Sequence, residues 1–248
     1  MDLWHVTIAT VDRAPLHRSE EALLTLVRMV DRVIGHRLVL FCVADDHFHL
    51  VLEGPQPAIA VAGLSCALTW GVSVDIARPF LKQVADRAHL ATLVGYVLAQ
   101  PVEHGFGSVA TWPGSCLADL VGARRLGRFG SGPLRSWLPR WRAREICRVA
   151  RIAVPQPVTD LAGCSLARIH RASRLALAAP VSGKSLPAVR ARWVAAHLAR
   201  EAGYGVAAIA RELERHPAHV SAVLRKPVPE EVAEARIQLA LLWTRSHG

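Results

Sequence analysis

The spacing of apolar and polar residues changes along the chain, and each change of period marks an element. The opening stretch LWHVTIATV is β-branched and partly alternating, which predicts a strand. In SEEALLTLVRMVDRVIG, apolar residues recur at helical spacing behind Ser19 as N-cap and two acidic residues, and Gly35 stops the helix. HRLVLFCVADDHFHLVLEG reads as two strands meeting at a tight turn over residues 44–46. A second helix follows in QPAIAVAGLSCALTWG, then an extended segment in VSVDIARPFLKQV, then a third helix in RAHLATLVGYVLAQPVEHG ended by Pro101 and Gly105. Helices returning onto one face of an antiparallel sheet make an α+β sandwich of the ferredoxin-like or RRM-like kind. The strand HFHLVLE reads apolar on both sides, so it belongs at a central position covered on both faces.

From about residue 107 to residue 157 the pattern loosens into Gly, Pro, Trp and Arg, as in RRLGRFGSGPLRSWLPRWRAR. Arg interleaved with Phe129, Trp137 and Trp141 suits a segment that touches phosphates and stacks on bases. A connector packed on the core by its tryptophans fits the same composition. The remainder reads as helices only, which gives three parts: an α+β domain over residues 1–123, a basic linker over 124–157 and an all-α domain over 158–248.

Charge sharpens this division. Residues 1–110 hold 8 Lys/Arg against 11 Asp/Glu, a net charge of −3, and residues 111–248 hold 22 against 9, a net charge of +13. Such asymmetry points to a polyanion, most simply nucleic acid, held mainly by the C-terminal half. The five cysteines are widely spaced without a C-x-x-C pair, which fits reduced, structural thiols in a cytoplasmic, nucleoid-associated protein. No window reaches the roughly 18 consecutive apolar residues of a membrane span, and no signal-peptide pattern opens the chain, so no membrane partner is expected.

The chemistry centres on VADDHFHLVLEG. On a strand, His47 and His49 share a face while Phe48 turns the other way, so two imidazoles stand side by side. They can occupy adjacent positions on one divalent ion, or simply be two polar residues on a strand. Four residues separate Tyr96 from Gln100, which places both on one face of the third helix. The Gln100 carboxamide oxygen can then supply a third ligand, with Tyr96 beside it.

These stretches carry a resemblance. ADDHFHLVLEG resembles the histidine box of the single-tyrosine HUH transposases, and GYVLAQPVEHGF resembles the tyrosine helix of their REP-associated tyrosine transposase branch. WHVTIATVDRAPL and WPGSCLADLVGARRLG look like that family's first strand and the segment after its tyrosine helix, so the resemblance covers about residues 3–127. It implies an HUH domain that cleaves and rejoins single-stranded or hairpin DNA. Tyr96 would attack the scissile phosphate to give a 5′-phosphotyrosine and a free 3′-OH, and Mg2+ or Mn2+ would be held by His47, His49 and Gln100. Relatives act as monomers or homodimers, some exchanging the tyrosine helix between subunits. The sequence departs from the family at Asp46, where Asn is usual and where the added charge either tightens metal binding or repels phosphate. It departs also at VSVDIARPFLKQVADRA, which lacks the usual basic, aromatic stretch. A domesticated, catalytically weak or inactive DNA-binding regulator is therefore the alternative. An RNA-binding RRM-like module is disfavoured, because the strands lack paired stacking aromatics.

In the C-terminal part, GVAAIARELERHPAHVSAVLRK fits a helix-turn-helix, with a first helix over 207–213, a turn over 214–216 and a recognition helix over 217–225. Ile209, Leu213, Val220, Val223 and Leu224 form its seam, and Pro217 suits a first turn. With VRARWVAAHLAREAGYGVAAIA before it, this region is similar to the DNA-binding domain of the replication initiator DnaA over about residues 185–226, although that protein's Asp-His-Ser-Thr turn is not reproduced. A target duplex is expected here, with His219, Ser221 and Ala222 at base edges and Arg225 and Lys226 at phosphates. Arg192 before the motif, and Arg124, Arg125, Arg128, Arg140 and Arg142 in the basic segment, complete the expected DNA contacts.

Overall fold

The apolar runs at the start of the chain form a four-stranded antiparallel sheet. β1 (Leu3–Ala9) is followed by α1 (Glu20–Ile34), β2 (Leu38–Val43), β3 (His47–Glu53), α2 (Pro57–Val72), β4 (Phe80–Gln83) and α3 (Arg87–Glu103). The strand order is β2-β3-β1-β4, the ferredoxin-like arrangement in which β3 sits between the two strands joined through α1. The computed structural model describes residues 2–243. They divide into a first unit, reaching Val121 and including Leu126–Val154, and a second, Gly122–Arg125 with Pro155 onward.

Local signals act as read. The Ser19 side chain accepts from the Ala22 N–H at 3.1 Å to start α1, and Gly35 ends it at φ 62°. Between β2 and β3 the turn closes through the Ala44 N–H donating to the His47 carbonyl at 2.9 Å. Pro101 departs from the expected stop: it lies inside α3, which continues to Glu103. So near the helix end its missing N–H costs a single backbone bond, and the His104 N–H still reaches the Gln100 carbonyl at 3.0 Å.

Strand alternation sends Phe48, Leu50 and Leu52 to one face and His47, His49 and Val51 to the other, and all six are buried. Phe41, opposite Leu50 in β2, meets Phe129 edge-on at 5.1 Å, and the Phe129 N–H donates to Asp31 of α1 at 2.7 Å. α1 therefore covers the Leu50 face. α2 packs closely on α1 at Gly71, where an added Cβ would fall 2.8 Å from the flexible end of Met29, its Cε. α3 lies against the histidine face, so β3 is covered on both sides as its composition requires.

The segment expected as a linker resolves in favour of packing. After the single-turn α4 (Leu117–Leu120), it carries α5 (Gly132–Trp137) and α6 (Ala143–Val149). Phe129, Leu134, Leu138, Ile146 and Cys147 are buried there, which ties residues 126–154 to the first unit.

The second unit is helical: α7 (Leu166–Ala176), α8 (Leu186–Glu201), α9 (Val206–Glu212), α10 (Pro217–Leu224) and α11 (Val232–Trp243). α9 and α10 form the helix-turn-helix around buried Ile209, Leu213, Val220 and Val223, with Glu214 in the turn at φ 52°. Leu224, expected in the same seam, is half-buried. Among the described residues no helix is long and apolar enough to cross a membrane.

Candidate active site

Antiparallel pairing places Thr7 of β1 opposite His49, His5 opposite Val51 and Ala9 opposite His47. Directly opposed residues share a face, so His5, Thr7, His47 and His49 gather on one side of the sheet. His47 and His49 are 5% and 4% exposed, and their Nε2 atoms lie 3.1 Å apart. Thr7 Oγ1 stands 3.3 Å from His49 Nδ1, and His5 Nε2 stands 3.2 Å from the same nitrogen.

Asp46 settles the orientation of His47. Its Oδ1 accepts from His47 Nδ1 at 2.6 Å, and its Oδ2 accepts from Arg13 Nη1 at 3.0 Å. Burial alone would raise the Asp46 pKa, but the hydrogen bonds from His47 and Arg13 outweigh it and hold the carboxyl below its usual value. With Nδ1 protonated toward Asp46, His47 keeps its Nε2 lone pair facing His49. The substituted acid thus sits behind the imidazole and acts on its far nitrogen.

α3 supplies the third side of the site. The Tyr96 ring meets His49 edge-on at 5.0 Å, and its hydroxyl lies 3.4 Å from His49 Nε2. One turn on, Gln100 is 3% exposed, donates to the Tyr96 carbonyl at 3.2 Å and hydrogen-bonds the His49 ring. One turn further, the His104 ring lies 4.8 Å from that of His47. From there an aromatic row continues: Phe106 stacks on His104 at 6.0 Å, and Trp112 stacks on Phe106 at 4.3 Å with the planes 8° apart.

The four residues expected to act together, His47, His49, Tyr96 and Gln100, are therefore brought together. His5, Thr7 and His104 were missed. His104 had a signal, since it continues the Tyr96–Gln100 stripe at the next helical turn. His5 and Thr7 had none, because their place depends on strand register.

These groups fit a divalent ion. Two nitrogens each about 2.1 Å from one ion and at right angles stand about 3 Å apart, and the His47 and His49 Nε2 atoms do so at 3.1 Å. Thr7, His5 and Asp46 hold the outer nitrogens, as partners of ligating imidazoles do. Among the described residues no group of three His, Cys, Asp or Glu forms a metal cluster, so Gln100 is the available third protein donor.

Burial first, then the charges of His47, His5 and His104, lower the His49 pKa from 6.5 to about 3, against a smaller opposing effect of Gln100. An unfolded chain takes up this proton near pH 6.5, whereas the folded chain resists it until about pH 3, so acid favours unfolding within that window. The expected loss of stability from this group is about 2 kcal/mol by about pH 5. Denaturant unfolding near neutral and near pH 5 should show a smaller acid loss in His49→Gln than in wild type. Equal losses in the two proteins would remove His49 as the cause.

The expected DNA contacts separate by exposure. Arg128, Arg140 and Arg142 are exposed on the first unit, and His219, Arg225 and Lys226 on the second, with Ser221 half-buried. Arg124 is a correction: at 4% exposure its guanidinium is packed inside and is not displayed to a duplex. Arg125 is exposed but engaged, 2.9 Å from Glu230 and 2.6 Å from Glu234. Arg192, 9% exposed, lines a cavity instead of an open face.

No family model matches this chain. No curated protein matches it either. Among solved structures it is similar to a REP-associated tyrosine transposase bound to a REP hairpin, with 18% identity and a TM-score of 0.40 over 46% of this chain and 76% of that one.

Proposed function

We propose that the first unit cleaves and rejoins single-stranded DNA through a 5′-phosphotyrosine on Tyr96, and that the helix-turn-helix of the second unit holds duplex DNA. The observation that carries this reading is the Tyr96 hydroxyl 3.4 Å from His49 Nε2, beside two imidazole nitrogens 3.1 Å apart. The Tyr96 oxygen releases its proton and forms the bond to phosphorus, the bond to the 3′ oxygen breaks, and that oxygen takes up a proton and leaves as a hydroxyl, so that protons balance overall. Reversal rejoins the strand, because the phosphotyrosine conserves the diester energy.

His47, His49 and Gln100 would hold Mg2+ or Mn2+, which when bound supplies Lewis-acid polarisation of the phosphoryl oxygen. His49, with its pKa lowered to about 3, is a weak general base but keeps a lone pair free for coordination. The aromatic row of His104, Phe106 and Trp112 offers π-faces on which unpaired bases stack, and exposed Arg13 lies on the same side through Asp46.

A second reading, a DNA-binding regulator without strand cleavage, is favoured by the net charge of −3 over residues 1–110, the part of the unit that carries the histidine pair and Tyr96 and so draws DNA weakly to them. Denaturing gels of the full chain with single-stranded and hairpin oligonucleotides separate the two. The enzyme reading expects a covalent adduct with Mg2+ or Mn2+ that disappears with chelator. Absence of adduct with every oligonucleotide, while DNA is still bound, would leave the regulator.

A further inference from the structure

In the second unit a cavity of about 480 Å3 lies between α8 and α10, within the usual size of small-ligand sites. Its lining includes four cationic side chains, Lys184, Arg192, Arg215 and Lys226, and no carboxylate. The rest is largely apolar, with Val189, Leu213 and Val220 beside the Trp193 ring. Lys226 Nζ rests 4.1 Å from the centre of that ring, a cation–π contact that holds it at the cavity.

Arg192 shows that an anion is called for. Its Nη2 donates to the Gly183 carbonyl at 2.9 Å, while its Nη1 is buried without a hydrogen-bond partner. A buried guanidinium donor lacking an acceptor is costly, and an uncompensated buried charge more so. Burial, and then the neighbouring charge of Arg215, lower the Arg192 pKa, and no carboxylate lines the cavity to balance this cation. A phosphate presents oxygens that match the guanidinium fork and has charge enough for several cations. Phosphate alone would leave the apolar wall uncovered, and a flat aromatic body attached to it would not.

α10 supports the same reading by its faces. His219 and Ala222 of the helix and Lys226 just beyond its end line the cavity, whereas Ser221 and the capping Arg225 are absent from the lining. Of the residues expected at DNA, His219 and Lys226 thus belong to the cavity, and Ser221 and Arg225 lie outside it.

We propose that this cavity binds a nucleotide, with its phosphate on Arg192, Lys184, Arg215 and Lys226 and its base against the apolar wall. The nucleotide is either free or a displaced member of a DNA strand. The proposal does not rest on the catalytic reading of Tyr96.

Calorimetric titration of the full chain with dAMP tests it. Saturable binding is expected, with inorganic phosphate binding at least about tenfold more weakly for want of the base. Arg192→Met and Lys226→Met should each weaken dAMP by about tenfold or more, the loss of a charge-assisted contact. Lys226 is exposed, so its variant keeps the test valid if Arg192→Met fails to fold. Single-stranded oligonucleotide that displaces dAMP assigns the nucleotide to a DNA strand, and retention of dAMP assigns the site to free nucleotide. Tyr96→Phe should bind dAMP as wild type does. No saturable binding at millimolar dAMP, equal affinity in both cavity variants, or loss of binding in Tyr96→Phe would each overturn the proposal.

Discussion

Replacing Tyr96 by Phe removes one oxygen and is expected to reduce the covalent DNA adduct by at least about 10³-fold, as loss of a nucleophile does. The fold should hardly notice. Tyr96 is 46% exposed, its hydroxyl makes a single long contact of 3.4 Å to His49, and the ring keeps its edge-on packing against His49 and His5. Surface substitutions of this kind usually change stability by less than about 0.5 kcal/mol. The thermal midpoint should therefore match wild type while the adduct band vanishes on a denaturing gel. His47→Ala and His49→Ala differ in kind: they should sharply lower the adduct, and what remains should require more Mg2+ or Mn2+ than wild type does. Adduct formation in Tyr96→Phe at the wild-type level would remove Tyr96 as the nucleophile. A fall in both adduct and midpoint would mean that the hydroxyl also supports the fold, and the lost adduct would then not single out a nucleophile.

What the sequence made legible was what depends on near neighbours. Ser19 and Gly35 bound α1 because capping is decided within a few residues. His47 with His49, and Tyr96 with Gln100, share faces because strand and helix periods are fixed by backbone geometry alone. That the two faces meet is a tertiary fact. Thr7 and His5 behind His49 depend on the β1–β3 register, which neighbouring residues do not encode. Asp46 was visible as a departure from a family pattern, yet its effect turned on whether its carboxylate faces Nδ1 or Nε2 of His47. It faces Nδ1, at 2.6 Å, where it orients the ring. Arg124 shows the opposite failure. Composition counts it as a cation for DNA, and only packing reveals that it is buried.

The hardest feature to foresee carries the second large effect. The Asp31 carboxylate accepts three backbone N–H groups, from Gly127 at 3.0 Å, Arg128 at 3.0 Å and Phe129 at 2.7 Å, across nearly a hundred residues of chain. Successive amides wrapped around an anion form a nest, and this nest anchors the basic segment to α1. At Gly127 the approach is close, since a Cβ would fall 3.3 Å from Asp31 Oδ2 and the carboxylate would have to give by a few tenths of an ångström. Asp31→Ala should destabilise the first unit by about 3–5 kcal/mol, because three donors lose an acceptor, at least one of them buried. Asp31→Asn keeps one carbonyl oxygen and should lose about half as much. Urea unfolding followed by tryptophan fluorescence measures both. A loss below about 1 kcal/mol in the alanine variant would mean that water replaces the carboxylate at little cost. The effect on chemistry should be smaller than on stability. Asp31 lies with Phe129 and Phe41 on the Leu50 face of the sheet, and Tyr96 stands over the opposite one. Below its lowered midpoint the alanine variant should still form adduct, so the nest serves the fold of the unit and reaches the histidine pair only through β2 and β3.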